Sequence, residues 1–201
     1  THRTLGQHRG DDSRSGWISS LGKDEGEAHP TRGGLRIGKA LQERRPNEPF
    51  DERLEWERDG QYFHYLTKWM HALDQLSKAT REPRFSLWAR ELAVAAERAF
   101  VYRPSPTEPL RMYWKMSIDL SRPLVPSMGQ HDPLDGYVTI MQLRINPAGL
   151  ADDALNEDLV RAARTFASVL KNTALASSDP LGIGGLLIDA YRIAQLMRQG
   201  T

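Results

Sequence analysis

The chain has 201 residues, enough for one domain with its own core. Hydrophobic residues make up 39% and charged residues 26%, and 27 Lys+Arg against 26 Asp+Glu leave a formal net charge of +1. Acids and bases interleave, as in FDERLEWERDG, without the basic stripe that phosphate neutralisation requires, so no nucleic-acid partner is expected.

Cysteine is absent, which excludes disulfides, thiolate nucleophiles and zinc–thiolate sites. Neither a metal nor another cofactor is expected. No apolar run approaches the roughly 20 residues of a membrane span, and THRTLGQHRGDDSRSG lacks the hydrophobic stretch of a secretion signal. The expectation is a cytoplasmic protein with no membrane partner. A start on Thr1 and a stop just after LIDAYRIAQLMRQGT fit a processed or truncated piece of something longer.

Residues 1–54 form a compositional region of their own, rich in Gly, Arg, Glu and Pro, with isolated apolar residues such as Trp17, Ile18, Leu35 and Ile37. No sustained period appears, and an irregular arm packed across a helical body (55–201) is expected. From Gly60 the pattern changes. Tyr62, Leu66, Trp69, Leu73 and Leu76 recur at spacings of three and four, broadened by Phe63, Tyr65 and Met70, which predicts a helix. Pro83 announces the next one, with Phe85, Trp88, Leu92, Ala95 and Ala99 on its stripe. Pro104, Pro106 and Pro109 forbid its continuation. LRMYWKMSIDLSRPLVPSMGQ predicts an extended loop with at most a short strand or helical turn. Helices follow over about 133–144, 153–171 (Leu155, Leu159, Ala162, Phe166 and Val169 on its stripe) and 181–199. The predicted class is all-α.

DPLDG at Asp132–Gly136 returns as DPLGIGG at Asp179–Gly185, and Asp59–Gly60 opens the earlier helix. In each Asp-Pro pair the aspartate suits the N-cap and the proline the first helical position. Helices that start alike and alternate with plainer ones predict stacked hairpins.

GGLRIGKA (Gly33–Ala40) has the spacing of a phosphate loop but lacks the Ser or Thr after Lys39 and the flanking strand and helix, so nucleotide binding is not expected. His64, Lys68, His71 and Gln75 share one helical face, either solvated or, at Gln61 and His64, turned into a cleft. Two histidines seven residues apart do not chelate one metal. EWERDGQYFH and MYWKMSIDLSR mix aromatic rings with acids and bases, a mixture common in clefts for polar ligands; equally, Trp56, Tyr113 and Trp114 could anchor loops on the core. In QHDPLDG, capping accounts for Asp132 and Asp135 and leaves His131 unexplained.

Over LRIGKALQERRPNEPFDERLEWERDGQYFHYLTKWMHALDQL and RMYWKMSIDLSRPLVPSMGQHDPLDG the chain resembles a group of uncharacterised bacterial proteins related to the six-hairpin (α/α) toroid superfamily of glycosidases and sugar epimerases, from about Trp17 to Met197. The resemblance implies helical hairpins around a central cleft, in an incomplete ring, since five long helices are found where a toroid has twelve. Trp56, Arg58, Asp59, Trp114, Asp119, Arg122, Gln130, His131 and Asp132 would line that cleft. The implied function is carbohydrate-active or carbohydrate-binding. A hydrolase would use two carboxylates, Asp119 and Asp59, with Asp132 in reserve. An epimerase would exchange the proton through His64 and His131. A sugar or oligosaccharide is the expected ligand; homo-oligomerisation and a non-catalytic scaffold that binds a protein partner stay open.

Overall fold

The computed structural model describes residues 1–126, 130–146 and 152–199. The chain is mostly helical, with a few short strands. Three short helices, α1 (His2–Leu5), α2 (Lys23–Ala28) and α3 (Glu52–Glu57), precede strand β1 (Gln61–Tyr62) and the long helices α4 (Phe63–Thr80) and α5 (Pro83–Phe100). Strands β2 (Val101–Tyr102), β3 (Arg111–Met112), β4 (Lys115–Met116) and β5 (Pro123–Val125) follow, then helices α6 (Asp132–Ile145), α7 (Asp153–Leu170) and α8 (Pro180–Arg198). Part of the predicted loop, 127–129, lies outside the described residues.

The buried face of α4 is Phe63, Leu66, Met70 and Leu73, one helical stripe. Trp69, Leu76 and Tyr65 stand at its margin; Leu76 and Tyr65 are exposed. The stripe is therefore centred a residue later than Tyr62–Leu76 predicts and is narrower. Helix α4 stops at Arg81, whose left-handed backbone (φ 60) reverses the chain into α5. Pro83 sits in the first turn of α5, where its missing N–H is no loss. Helices α4 and α5 pack as one pair and α6 and α7 as another, with α5 against α7 and α4 against α6.

Phe63, Phe100 and Phe166 meet at the centre of this four-helix core, with Phe63 5.5 Å from each of the other two ring centroids. Each buried ring of this size contributes about 2–3 kcal/mol. Gly136 makes the junction fit. A Cβ there would lie 2.9 Å from both Phe166 Cε1 and Phe63 Cζ. Gly136→Ala should therefore lower stability by about 1–2 kcal/mol in urea unfolding, because overpacking outweighs the propensity gain of about 1 kcal/mol.

Two helix starts differ from prediction. Asp59 opens no helix, since α4 begins at Phe63 after β1. Asp132 is the first residue of α6, and His131 is the N-cap, with no side-chain capping bond. Only the third of these aspartates caps as expected: Asp179 Oδ2 accepts from the N–H of Gly182 at 2.7 Å. Gly33–Ala40 is irregular backbone flanked by neither strand nor helix, so the phosphate-loop spacing has no phosphate-loop geometry.

The small sheet sits at the N-terminal end of α4. Strand β1 pairs antiparallel with β4, and β4 with β5, placing Tyr62 opposite Lys115 and Lys115 opposite Val125. The N-terminal residues reach it by ion pairs and backbone bonds. Trp17, Ile18 and Leu35 are buried, Thr31 Oγ1 donates to the carbonyl of Trp88, and Trp88 Nε1 donates to that of Ala28. No helix among the described residues is long and apolar enough to cross a membrane.

Candidate functional site

The predicted site residues divide into two groups. Asp59, Asp119, Arg58 and Arg122 hold segments together. Asp59 is fully buried; its Oδ2 accepts from Arg9 (3.2 Å) and Arg36 (3.0 Å), and its Oδ1 from the N–H groups of Gly38 and Gly60. With both oxygens committed, it fastens the N-terminal residues rather than facing a ligand. Asp119 accepts from Arg14 (2.8 Å), Ser117 Oγ, and the N–H and Oγ of Ser121. Burial opposes its charge, but those hydroxyl and amide bonds and the Arg14 charge outweigh it and hold the group near 2. A carboxyl so stabilised is a poor proton donor at neutral pH. Arg58 makes a forked pair with Glu48 (2.7 and 3.0 Å), and Arg122 donates to the carbonyl of Arg44.

Trp56, Trp114 and His64 do come together. Trp114 packs edge-on to Trp56 (4.9 Å) and Tyr62 (4.8 Å) and stacks with His64 at 5.9 Å. The sheet builds this wall: Phe63 N–H donates to the Trp114 carbonyl and Trp114 N–H to that of Val125. Behind it lies Lys115, fully buried, its Nζ 2.9 Å from Glu55 Oε1, bonded to the carbonyls of Glu55 and Arg58, and 4.9 Å from the Tyr62 ring centre. Burial lowers its pKa against the raising effect of Glu55. Trp56 is exposed and Trp114 half-buried, so the wall presents aromatic surface to solvent.

His64 leads from the wall into an ionisable cluster. Burial, then the nearby charges of His131 and Lys68, push its imidazole down to about 4, so it is neutral at pH 7. His131 Nε2 lies 3.9 Å from Asp132 Oδ1. Asp132 is 2% exposed, and its Oδ1 has no hydrogen-bond partner among the described residues. Burial, reinforced by Asp135 and Asp189 and opposed by His131 and Lys68, raises its carboxyl to about 6. His131, partly exposed, is backed by α8: a Cβ on Gly185 would lie 2.7 Å from its Cδ2. Gln130 is exposed beside it.

Below this dyad runs a buried network that joins α4, α6 and α8. Asp135 Oδ2 accepts from Thr67 (2.6 Å) and Lys68 (2.9 Å), and its Oδ1 from Arg192 (2.6 Å). Burial works against its charge, yet Lys68, Thr67 and Arg192 lower its pKa. Arg192 also donates to Asp189 (3.0 Å), Thr139 (2.7 Å) and Gln142 (2.6 Å). Asp189 is raised to about 6 by burial and by Asp135, against the pull of Arg192. Lys68 and Arg192 belong also to a cleft of about 640 Å³ between α4 and α8, which His71, Gln75, Lys78, Tyr191 and Gln195 help to line. Lys68, His71 and Gln75 of the shared polar face of α4 thus form one wall of this cleft, whereas His64 stacks on Trp114 and Gln61 is buried against Leu35, Gly33 and Ile118.

Asp135, Asp189, Arg192, Lys115 and Gly185 were not singled out by sequence reasoning as site residues. One signal was there: LLIDAYRIAQL carries an acid and a base three apart in an otherwise apolar helix, the spacing of a buried pair. Among the described residues no group of three or more His, Cys, Asp or Glu is arranged to hold a metal ion. Family models, curated proteins and solved structures offer no match to the chain.

Proposed function

We propose that the protein is a carbohydrate-active helical domain of the six-hairpin toroid type, performing epimerase-like proton exchange with His64 and His131 as the acid–base pair. The observation that carries this reading is the His131–Asp132 dyad beside the neutral His64, at the edge of an aromatic wall. Rings such as Trp114 and Trp56 stack on the C–H faces of sugars, and a site for polar ligands needs few polar groups if they are well placed. Asp132 Oδ1 stands 3.9 Å from His131 Nε2, outside hydrogen-bond distance, and would orient the imidazole once a ligand drew the two together. His64, unprotonated at neutral pH, accepts a proton on one side of a ligand that His131 serves on the other.

Epimerase-like exchange is favoured over hydrolysis by the state of the carboxylates. Asp59, Asp119 and Asp135 have both oxygens engaged by cations, hydroxyls or amides. Neither member of the expected Asp59–Asp119 pair is thus free to serve as the acid or base of glycoside hydrolysis. A non-catalytic scaffold is the second reading, favoured by the apolar outer face of α8.

The test is incubation with a panel of reducing sugars in D2O, read by proton NMR, alongside thermal shift. Deuterium should enter one carbon position of a sugar that also raises the melting temperature, and His131→Ala should abolish exchange while keeping the fold. A sugar hydrolysed without deuterium uptake would replace exchange with hydrolysis. A sugar bound without either reaction would reduce the site to a binding site, and no response from any sugar would favour the scaffold.

A further inference from the structure

The outward face of helix α8 is apolar, and its charges lie on the inward face. Its charged side chains ahead of Arg198 are Asp189 and Arg192, and both are buried. Leu181, Leu187, Tyr191 and Met197 are 84%, 66%, 65% and 70% exposed. Among the described residues the hydrophobic cluster of α4–α7 includes no side chain of this helix, whose one buried hydrophobic residue is Leu196. A helix on a globular body ordinarily turns its apolar stripe inward, and a contiguous apolar patch left outside marks an interaction surface. We propose that this face is an interface between two copies of the chain, with α8 packed antiparallel against α8 across a twofold axis.

Charge and shape both select a second copy. From Pro180 to Met197 the outer face carries no charge, so whatever covers it must be uncharged and apolar along about 27 Å of helix. The face also complements itself in size when reversed. With the axis between Ala190 and Tyr191, Leu187 lies opposite the partner's Ala194 and Tyr191 opposite the partner's Ala190. Met197 lies opposite the partner's Gly184, where the structure leaves open space on the side of the missing Cβ. Large meets small at each step, which is how ridges enter grooves.

The same register brings Arg198 level with the partner's Ile183, one helical turn from the partner's Asp179, so the charges at the two ends of the face are complementary. Antiparallel macrodipoles oppose favourably, and an isologous contact of this kind closes at two subunits. Ile188 and Tyr191 also line the α4–α8 cleft, so the second copy would wall its open side.

Sedimentation velocity over a concentration series should reveal a reversible dimer of the intact chain. Leu187→Glu, at an exposed position, should keep the helical circular-dichroism spectrum of the folded chain and weaken association at least about thirtyfold, the effect of a central interface residue. Because the chain contains no cysteine, a single Ala190→Cys can report the register: mild oxidation should cross-link it across the axis and leave an exposed Ala174→Cys control uncross-linked. A chain that stays monomeric at every concentration overturns the proposal. So does a dimer that Leu187→Glu does not weaken, or one in which Ala190→Cys cross-links no better than Ala174→Cys.

Discussion

Arg192→Met is expected to release α8 from the body while α4, α5, α6 and α7 remain folded. Arg192 is the hub that attaches this helix, donating to Asp135, Asp189, Thr139 and Gln142 from a side chain that is 7% exposed. Removing one member of a buried charge network costs about 3–5 kcal/mol, because the remaining charges stay buried without a partner. Here the stranded groups are Asp135, which would keep Lys68, and Asp189, for which no other cation is bonded among the described residues.

The loss should stay local, because the core of α4–α7 contains no side chain of α8, and Leu196 is the buried hydrophobic side chain that α8 supplies. Hydrogen exchange of α8 amides should then accelerate at least about a hundredfold, with protection in α4–α7 little changed. Adding Asp135→Asn and Asp189→Asn to Arg192→Met should recover part of the protection by removing the stranded charges. Uniform loss of protection through all the long helices would refute the local account, and unchanged exchange in α8 would refute the hub.

The long helices were legible because α4, α5 and α7 carry a repeating apolar stripe, α5 and α8 begin on a proline, and α6 has one at its second position. What could not be read was the destination of the charges. Asp59 stands before a glycine and an aromatic run, which locally looks like a helix start. Its partners Arg9 and Arg36 are 50 and 23 residues away, and their approach is decided by tertiary packing. Asp119 likewise pairs with Arg14 across 105 residues. The two carboxylates expected to form a catalytic pair therefore hold the N-terminal residues through Arg9, Arg36 and Arg14, and Trp56 meets Trp114 edge-on through a sheet pairing that no local pattern announces.

The capping logic misplaced α6 by one residue, and the slip has chemical consequences. An aspartate at the N-cap would turn its oxygens to backbone N–H groups and titrate low. At the first helical position Asp132 is instead buried, loses water, and gains no hydrogen bond at Oδ1 among the described residues. Pro133 occupies the next position, so the sequence alone was compatible with either start.

That burial leads to the second large effect: Asp132→Asn should raise stability at pH 7.5 and lose this advantage toward pH 4. Folding holds the Asp132 carboxyl at about 6 against 3.8 as its ordinary value. Between those two pH values the folded protein binds a proton that the unfolded chain does not. The stability tied to the protonated carboxyl is therefore complete below about 3.8 and is lost as the pH rises through 6. At pH 7.5 the wild type carries an unsatisfied buried carboxylate, which asparagine replaces at nearly the same shape, a difference on the order of 3 kcal/mol.

His64 titrates the other way. Its folded pKa of about 4 lies below the ordinary 6.5, so its contribution is present above 6.5 and lost as the pH falls toward 4. The two groups oppose each other in the wild-type curve, and the difference between wild type and variant isolates Asp132. Urea unfolding at pH 4.5, 6 and 7.5 measures it. A difference that does not change with pH, or a variant less stable at 7.5, would show that Asp132 is satisfied in solution. A variant that gains stability while losing its response to sugar would mark the carboxyl as a group kept for chemistry against the interest of the fold.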